Sequence, residues 1–600
     1  MPHSHVIWHG VPRVKTAPAE NSLPLGAATP IDIPSLADVL RGRAAERPND
    51  AGYVFLPDRG GERTQLTYGD LYARARAVAL RLAEHGRRGD RAALLFPPGL
   101  DFVVAFFGCL LAGVIAVPMM IPRRDSKRDA SAAILADCSP RFAITCRDLI
   151  EIARPDLGER LSSVGIEWVF VDPTPADPSH PNGALPAIER ADIAFLQYTS
   201  GSTSTPKGVI VSHDNLLHNL EMIRLAFGNT DRSTHVSWVP YYHDMGLILV
   251  ILQSLYIGAL CVLMAPVSFM QRPLSWLRAI HEYRAEIAGG PNFAFDLCVR
   301  RHRPEQMQGI DLSCWKLAYN GAEPVRAETI ERFASTFARY GFAANSVHPA
   351  YGLAEATLLV SSGQRGDGPV TAAVSRDGLR HHKVVCSTQG DDVQQVVGCG
   401  RPLTGERLAI VDPESRQRLG ARLIGEIWVA GPHVAQGYWG NPEATNAVLK
   451  AVIDGEAALP WLRTGDLGFL DEDNELYITG RIKDLIIIRG VNHYPQDIEN
   501  TVQDCHPALR RHCGAAFSVL DQNNEEQLVV VQEVERAYRQ QVAIGEITGA
   551  IREAITREHD IAPREIVLLR TGTLPQTTSG KIQRNLTKQI FSAGSLENLQ

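Results

Sequence analysis

The residues best suited to chemistry lie in one short stretch, which runs from Tyr198 to Val209. Its hydroxyl side chains are Thr199, Ser200, Ser202, Thr203 and Ser204. Hydroxyls and exposed backbone N–H groups donate to phosphate oxygens, Gly201 lets the chain approach a ligand closely, and Lys207 adds a positive charge. The stretch therefore predicts a phosphate-binding loop, although its spacing is not that of the Walker A loop. A flexible Ser/Thr-rich segment is the alternative interpretation.

The elements that must position this loop alternate along the chain. The apolar run Ile193–Leu196 directly precedes the loop and indicates a buried strand. Further strands are predicted at Ala92–Phe96, Val114–Val117, Phe142–Cys146 and Gln527–Val534. Helices are predicted from a capping box at Thr67–Asp70 to Gly86, over Leu100–Ala112, and along Ile544, Ile547, Ile551 and Ile555. Helices that alternate with apolar strands indicate an α/β fold, with parallel sheets covered by helices.

Length and composition limit the kind of protein. A chain of 600 residues is too long to fold around one hydrophobic core, so it should hold a large, subdivided domain and a smaller one. A hydrophobic content of 45%, a charged content of 21% and a net charge of −7 are ordinary and give no reason to expect nucleic acid. The ten cysteines form no C-x-x-C pair, which favours a reducing, cytoplasmic setting. Residues 1–33 have no signal-peptide core and are predicted to be a loosely ordered leader.

Two apolar stretches, Phe102–Ile121 and Gly246–Pro266, are long enough to be considered as membrane spans. Gly113 and Gly258 interrupt them, and each glycine is followed by a short strand-like run. We interpret each stretch as a buried helix and a buried strand, because parallel strands covered on both faces are apolar throughout. No transmembrane segment is predicted.

Further polar stretches follow apolar runs along the chain. They are Val239–Ile248, Asn320–Pro324, Tyr351–Leu358, Thr464–Gly468, Gly480–Glu499 and Leu574–Arg584. Taken singly, each has a plain interpretation: Asp244 caps a helix, Glu323 lies in the first turn of a helix, and Asp466 belongs to a turn. Lys581, taken alone, would be a solvated surface lysine.

Taken in order, these stretches resemble the motifs of the adenylate-forming enzymes, which include acyl-CoA synthetases, luciferases, peptide-synthetase adenylation domains and fatty acyl-AMP ligases. The resemblance covers almost the whole chain after residue 34. The segment around Leu94 and the run Tyr-His-Asp-Met-Gly-Leu at His243 resemble the fatty acyl-AMP ligases in particular. Met119 and Met120 depart from the residues usual in those enzymes, and Ala354 replaces the threonine of many other relatives.

The resemblance implies a role for each matching residue. The implied ATP and AMP contacts are Thr199, Ser200, Gly201, Ser202, Thr203, Lys207, Gly321, Ala322, Glu323, Tyr351, Asp466 and Arg481. The implied catalytic residues are Lys581, His243 and Arg481, the implied hinge is Lys483, and the implied Mg²⁺ ligand is Glu355. Tyr351 would stack on adenine, and Asp466 would accept hydrogen bonds from the ribose hydroxyls.

The implied architecture is a large N-terminal adenylation domain over residues 34–482, built of several subdomains with parallel sheets, and a small mobile α+β domain over residues 483–600. The implied reaction joins a medium- or long-chain fatty acid to ATP and releases pyrophosphate. The acyl group then passes to an acyl carrier protein, either stand-alone or a carrier domain of a polyketide or peptide synthase. This second step requires rotation of the small domain near Lys483.

The interval Ser361–Gly398 is polar and weakly periodic, and connections this long are uncommon without a function of their own. In fatty acyl-AMP ligases it carries an insertion that CoA-forming relatives lack, so we expect acyl-AMP but little acyl-CoA. A tolerated surface loop is the alternative. Two other functions stay open, an acyl-CoA synthetase and a non-catalytic adenylate-binding scaffold. An amino-acid substrate also stays open, because amino-acid-activating relatives pair an aspartate at Asp244 with the substrate ammonium.

Overall fold

A computed structural model describes residues 33–599, apart from 59–60, 123–130, 172–184, 200–205, 388–391, 458, 489–490, 523–524, 539–542 and 578–580. The predicted leader, except residue 33, and the loop residues Ser200, Gly201, Ser202 and Thr203 therefore lie outside the described residues. The structure confirms the predicted α/β class, with large sheets whose central strands run parallel. In the described part of the chain, no helix is both long enough and apolar enough to cross a bilayer.

The longer of the two large sheets has nine strands within the described ranges. Their order is Arg401–Pro402, Leu359–Ser362, Val347–Gly352, Leu317–Asn320, Ile287–Gly290, Thr234–Ser237, Leu260–Met264, Ala51–Leu56 and Thr64–Thr67. The six strands from Val347–Gly352 to Ala51–Leu56 are mutually parallel, and the strands at both edges are antiparallel. Because parallel strands end at one edge of the sheet, the turns after Asn320 and Gly352 open on the same side.

The second large sheet carries the phosphate-loop strand. Its order is Gly437–Tyr438, Lys207–Ser212, Ile193–Thr199, Ile115–Pro118, Arg91–Leu94, Phe142–Thr145 and Glu167–Phe170. Thr199 pairs with Lys207 in an antiparallel hairpin, so the loop residues between them connect two adjacent strands. The predicted strand at Ile193–Leu196 is thus confirmed and extends to Thr199.

The remaining sheets are smaller. A sheet of Arg407–Val411, Gly425–Ala430, Leu462–Leu470 and Leu476–Arg481 carries Asp466, and hairpins pair Thr371–Ser375 with Val393–Val397 and Ile486–Ile488 with Val491–His493. Toward the C-terminus, Leu509–Leu520, Glu526–Val534 and Glu565–Arg570 form a further sheet. Two hydrophobic clusters are built wholly from residues after 485, around Ile498 and Ile551 and around Phe517 and Val529.

The α-helices are Leu36–Glu46, Tyr68–His85, Asp101–Ala112, Ser131–Cys138, Pro155–Ser162, His213–Phe227, Gln253–Ile257, Pro266–Gln271, Leu274–Glu282, Asn292–Arg300, Ala327–Phe337, Arg376–Arg380, Pro442–Leu449, Pro495–Cys505, Ile544–His559 and Arg584–Ser592. The capping box is present: the Thr67 hydroxyl accepts from Asp70 N–H, and the Asp70 carboxylate accepts from Thr67 N–H. Both apolar stretches contain the predicted helix and strand, separated at Gly113 and Gly258. The second helix begins with a π-helical segment, Met245–Leu252, which apolar periodicity does not reveal.

The interval 361–398 has structure of its own and lies against residues 483–600. Its hairpin is joined to the helix Arg376–Arg380, and Arg380 donates to the backbone oxygen of Glu558 (3.0 Å). The Asn492 amide donates to the backbone oxygen of Arg380 (3.0 Å), and the Gln394 amide donates to the Asp497 carboxylate (3.1 Å). These contacts are those of a docked element.

An apolar contact accompanies these polar ones. Tyr494 is 4% exposed and belongs to a cluster with Val374 and Leu379 of the interval and Phe469 of the four-stranded sheet. The interval therefore touches both the N-terminal part of the chain and residues 483–600.

Candidate active site

A cleft of about 2300 Å³ lies between the two large sheets, the small sheet with Asp466, and residues 483–600. It is lined by every predicted site residue that the structure describes: Thr199, Lys207, His243, Gly321, Ala322, Glu323, Tyr351, Glu355, Asp466, Arg481, Lys483 and Lys581. The fold thus brings together residues that are spread over most of the sequence.

One wall of the cleft is organised around the carboxylate of Asp466. The Tyr351 hydroxyl donates to Asp466 Oδ2 (2.8 Å), and Arg481 Nε donates to Oδ1 (2.8 Å). Asp466 and Arg481 are direct partners on adjacent antiparallel strands, which explains their contact. Burial raises the pKa of Tyr351, and the charge of Asp466 adds to this effect, so the phenol stays a hydrogen-bond donor.

The turn after Asn320 approaches the neighbouring strand closely. A Cβ atom on Gly321 would lie 2.7 Å from the backbone oxygen of Ala350, so glycine is required there. The Glu323 carboxylate accepts from the backbone N–H of Phe293 (2.6 Å). The interpretation of Glu323 as part of a helical first turn is wrong, because the next helix begins only at Ala327 and Glu323 lies in the loop before it.

His243 and Asp244 contact each other at the start of the π-helical segment. His243 Nδ1 lies 2.7 Å from Asp244 Oδ1, which also accepts from the backbone N–H of Met245 (2.7 Å). The predicted capping role of Asp244 is therefore confirmed. Burial by itself raises the pKa of Asp244, but His243 and Lys581 outweigh it and hold the pKa below its usual range.

Lys581 reaches the same cleft from the C-terminal part of the chain. Its backbone is bonded to Thr577: Thr577 N–H donates to Lys581 O (2.7 Å), and Lys581 N–H donates to the Thr577 hydroxyl (3.0 Å). Burial lowers the pKa of the Lys581 amine, while the charges of Asp244, Glu323 and Asp466 partly offset this effect. Lys581 is thus close enough to Asp244, Glu323 and Asp466 for their charges to act on its amine.

The third group surrounds Glu355. Glu355 Oε1 accepts from the Tyr438 hydroxyl (2.9 Å), and Lys207 Nζ lies 4.9 Å from the centre of the Tyr438 ring. Burial raises the pKa of Glu355. Sequence reasoning missed Tyr438, which lies in the two-residue strand Gly437–Tyr438.

Lys483 lies in a single 3₁₀ turn, Ile482–Asp484, which follows the strand that ends at Arg481. Asp484 accepts from Arg584 (3.3 Å), which also makes a two-point contact with Glu499 (2.6 and 2.7 Å). The turn is thus tied to residues 483–600 through Asp484.

Comparisons with known proteins agree with this geometry. The AMP-binding enzyme family matches residues 40–439, and the Disco-interacting protein 2-like AMP domain matches residues 483–600. The medium-chain-fatty-acid–[acyl-carrier-protein] ligase JamA of Moorena producens is 43% identical over 570 residues, which cover 94% of this chain and 96% of JamA. The long-chain-fatty-acid–AMP ligase of Mycobacterium marinum is 38% identical over 591 residues, 95% of this chain and 99% of that protein.

This chain belongs to the fatty acyl-AMP ligases of the AMP-binding enzyme family. A solved structure supports the same conclusion: the fatty acyl-adenylate ligase from L. pneumophila, in complex with acyl adenylate and pyrophosphate, is 40% identical with a TM-score of 0.73. The match covers 95% of this ligase and 98% of that chain. The predicted enzyme class, a ligase that forms acyl-AMP, is therefore confirmed.

Proposed function

We propose that this ligase activates a medium- or long-chain fatty acid with ATP and transfers the acyl group to the thiol of an acyl carrier protein. The observation that carries the proposal is the position of Lys581, which enters one cleft with the His243–Asp244 pair and the Tyr351–Asp466 pair. The named activities of the curated relatives in Moorena and Mycobacterium support the choice of a fatty acid as substrate.

In the first half-reaction, a carboxylate oxygen of the fatty acid attacks the α-phosphorus of ATP. A new P–O bond forms, the bond to the bridging oxygen breaks, and pyrophosphate leaves with its electron pair. Two anions must approach each other, so catalysis depends on positioning and on neutralising charge. Lys581 would act between the carboxylate and the α-phosphate, Arg481 on the α-phosphate and ribose, and His243 on the attacking oxygen.

The remaining contacts concern the nucleotide. Tyr351 and the turn at Gly321 would hold adenine, Asp466 the ribose hydroxyls, and Lys207 with the loop after Thr199 the outer phosphates. Glu355 suits Mg²⁺, because this ion is usually held by one or two carboxylates together with substrate phosphates. Among the described residues, no group of three or more His, Cys, Asp and Glu side chains could hold a metal without the nucleotide. When bound, Mg²⁺ would neutralise charge on the departing pyrophosphate.

The acyl chain has an apolar part of the cleft available. Phe227, Leu249, Tyr319 and Leu359 line it and are each at most 5% exposed. Since each buried methylene contributes about 0.8 kcal/mol, affinity should rise with chain length until this space is filled. Asp244 already contacts His243 and Met245, which favours a fatty acid over an amino acid whose ammonium would need that carboxylate.

In the second half-reaction, a thiolate attacks the acyl carbonyl carbon, a thioester forms and AMP leaves. Lys581 occupies the cleft in the orientation described, so we propose that residues 483–600 rotate about Lys483 to withdraw it and admit the thiol. The contacts of the interval 361–398 with Glu558, Asn492 and Asp497 would oppose free rotation. A carrier protein could compensate for these contacts with its own surface, whereas CoA alone could not.

The proposal is tested by ATP–pyrophosphate exchange with purified protein and a series of acids: acetate, octanoate, dodecanoate, hexadecanoate and phenylalanine. We expect exchange to rise from acetate to the fatty acids and to stay at background with phenylalanine. A maximum with phenylalanine would favour an amino-acid-activating enzyme. Nucleotide binding without exchange for any acid would favour the non-catalytic scaffold.

A further inference from the structure

Thr357, two residues after Glu355, has an unusual backbone conformation. Its φ is 65° and its ψ is −61°, and the N–H of Leu358 donates to the backbone oxygen of Ala356 (2.7 Å) across it. These are the features of the less common γ-turn, which is strained, and a positive φ is a marked outlier for a β-branched residue. Such conformations persist only where surrounding contacts enforce them, and they cluster at functional sites.

The contact that enforces this turn comes from a distant part of the chain. Thr357 is 0% exposed, and its hydroxyl donates to the backbone oxygen of His433 (2.6 Å). The turn also places Leu358 O where it accepts from the backbone N–H of Leu353 (2.9 Å), which closes a small loop around Glu355. Thr357 therefore ties this loop to the segment 432–439.

The segment 432–439 holds Glu355 at two further points. The backbone N–H of Ala435 donates to the backbone oxygen of Glu355 (2.9 Å). The Tyr438 hydroxyl donates to Glu355 Oε1 (2.9 Å). With the Thr357 hydroxyl, these bonds fix the backbone and the carboxylate of Glu355 against a single segment.

The same segment is joined to the strand that begins at Lys207. Gly437 and Tyr438 pair with Ile210 and Val209, and the N–H of Trp439 donates to the backbone oxygen of Gly208 (2.7 Å). The Tyr438 ring lies under the Lys207 ammonium. A continuous set of contacts thus connects the carboxylate of Glu355 with the cation of Lys207.

The other end of the segment is also anchored. Asn215 Nδ2 donates to the backbone oxygens of Pro432 (2.8 Å) and Val434 (2.9 Å), and its own position is fixed by the capping box with Ser212. Because Ser212 ends the strand from Lys207, movement of the segment would disturb that strand as well.

We propose that Thr357 is a positioning residue that keeps Glu355 at a fixed separation from Lys207 through its bond to the segment 432–439. Thr357 touches neither substrate nor metal; it acts through Glu355. The inference rests on the proposed roles of Glu355 and Lys207 at the outer phosphates of ATP. Its consequence is selective: binding of Mg²⁺-ATP should depend on Thr357, whereas binding of AMP, which lacks the outer phosphates, should not.

The test is calorimetric titration of the full-length protein with ATP at several Mg²⁺ concentrations and with AMP, in the absence of fatty acid. Thr357→Val keeps the shape but removes the hydroxyl, and we expect about three- to tenfold weaker Mg²⁺-ATP binding with unchanged AMP binding. Thr357→Ser restores the hydroxyl and should stay within about twofold of the unaltered protein. Equal weakening for ATP and AMP, or no change for either, would overturn the proposal.

Two further variants keep the test decisive. If Thr357→Val does not fold, Tyr438→Phe removes another of the three bonds and should give the same selective loss; unaltered Mg²⁺-ATP binding in Tyr438→Phe would contradict the inference. Glu355→Gln tests the underlying role. If Glu355→Gln leaves the Mg²⁺ dependence of ATP binding intact, the proposed role of Glu355 fails, whereas a response to Glu355→Gln without a response to Thr357→Val defeats only the inference about Thr357.

Discussion

The two sides of the cleft are held in different ways. Glu355 is fixed to the segment 432–439, which is itself hydrogen-bonded into a sheet. Lys581 is carried by residues 483–600, which meet the rest of the chain largely through side-chain contacts, such as His512 Nε2 with Asp296 Oδ2 (3.2 Å). Ladder bonds in a sheet are broken together, whereas separate side-chain contacts can each be exchanged for water at little net cost. The comparison supports the proposal of a permanent phosphate side, formed by Glu355 and Lys207, and of a removable catalytic lysine, Lys581.

The variant Lys581→Ala tests the removable lysine most severely. We expect loss of acyl-adenylate formation with ATP binding largely intact, because the lysine neutralises developing charge and does not form the nucleotide wall. Removing one such group costs about 3–4 kcal/mol in the transition state. ATP–pyrophosphate exchange measures the loss, and calorimetry measures ATP binding.

Lys588→Ala is the matched control, because Lys588 lies on the helix Arg584–Ser592 and is not among the residues that line the cleft. Exchange by Lys581→Ala within a few-fold of the unaltered protein would show that this lysine is not catalytic.

A smaller effect is expected on the permanent side. Asp466→Asn should weaken ATP binding by about 1.5–3 kcal/mol, because it removes a charged acceptor that also orders Tyr351 and Arg481. Calorimetric titration with ATP gives the affinity. Asp473→Asn, at an exposed turn of the same hairpin, should leave it unchanged. Equal ATP affinities for the two variants would show that Asp466 does not contribute to the nucleotide site.

The docked orientation should also respond to pH. Burial lowers the pKa of His493 and of His559 to about 4, and Arg380 adds to both shifts. Because an unfolded histidine titrates near 6.5, the unfolded chain binds more protons between about pH 6.5 and about pH 4. The free energy of unfolding is therefore not reduced by these histidines above about pH 6.5. It falls as the pH drops, by about 1–2 kcal/mol per histidine near pH 5.

Melting temperatures across this pH range measure the effect. His559→Gln keeps a polar partner for the Thr501 hydroxyl, which lies 2.8 Å from His559 Nε2, and should flatten the pH dependence. His381→Gln is the control, because its side chain is 57% exposed. A pH profile that is the same in both variants would show that His559 does not contribute.

The smallest effect is expected where single contacts hold the interval to residues 483–600. Arg376 pairs with the Glu558 carboxylate, which contributes about 0–1 kcal/mol, and Arg380 donates to the Glu558 backbone oxygen, which contributes about 0.5–1.5 kcal/mol. The double variant Arg376→Ala, Arg380→Ala should raise acyl-CoA formation by at most a few-fold, as measured by thioester product with CoA.

Deletion of Ala372–Gln389 should raise acyl-CoA formation further, since a bias of ~3 kcal/mol leaves under 1% of the molecules in the other orientation. Arg564→Ala, an exposed arginine outside this contact, should change nothing. Loss of adenylation in the double variant, without any gain with CoA, would contradict the restraining role.

Much of the fold was accessible to sequence reasoning, because it depends on local patterns. The capping box at Thr67 and the glycine breaks at Gly113 and Gly258 are local signals, and each marks an element boundary in the structure. The cleft residues were accessible through the resemblance, since Asp466 and Lys581 stand in short, recognisable strings.

What sequence could not reveal depends on contacts between distant positions. Tyr438 contacts Glu355 across 83 residues, and Thr357 contacts His433 across 76. Tyr438 stands in no recognised motif. Thr357 lies within the motif Tyr351–Leu358, but the motif assigns it no role, and its positive φ follows from its surroundings and not from its residue type. The placement of Glu323 in a helical turn was wrong for a related reason. Its carboxylate bonds the N–H of Phe293, 30 residues away in the sequence, and this contact is not visible in the local pattern.

The most direct test of a removable lysine and a permanent phosphate side is the product formed by the intact protein. Purified protein, ATP, Mg²⁺ and dodecanoate would be incubated with either CoA or a phosphopantetheinylated acyl carrier protein, and acyl-AMP and thioesters would be quantified by mass spectrometry. We predict that acyl-AMP accumulates in the absence of an acceptor, that the carrier protein consumes it to give a thioester, and that CoA gives little or none. Efficient acyl-CoA synthesis by the intact protein would contradict the restraint on residues 483–600 and favour an acyl-CoA synthetase.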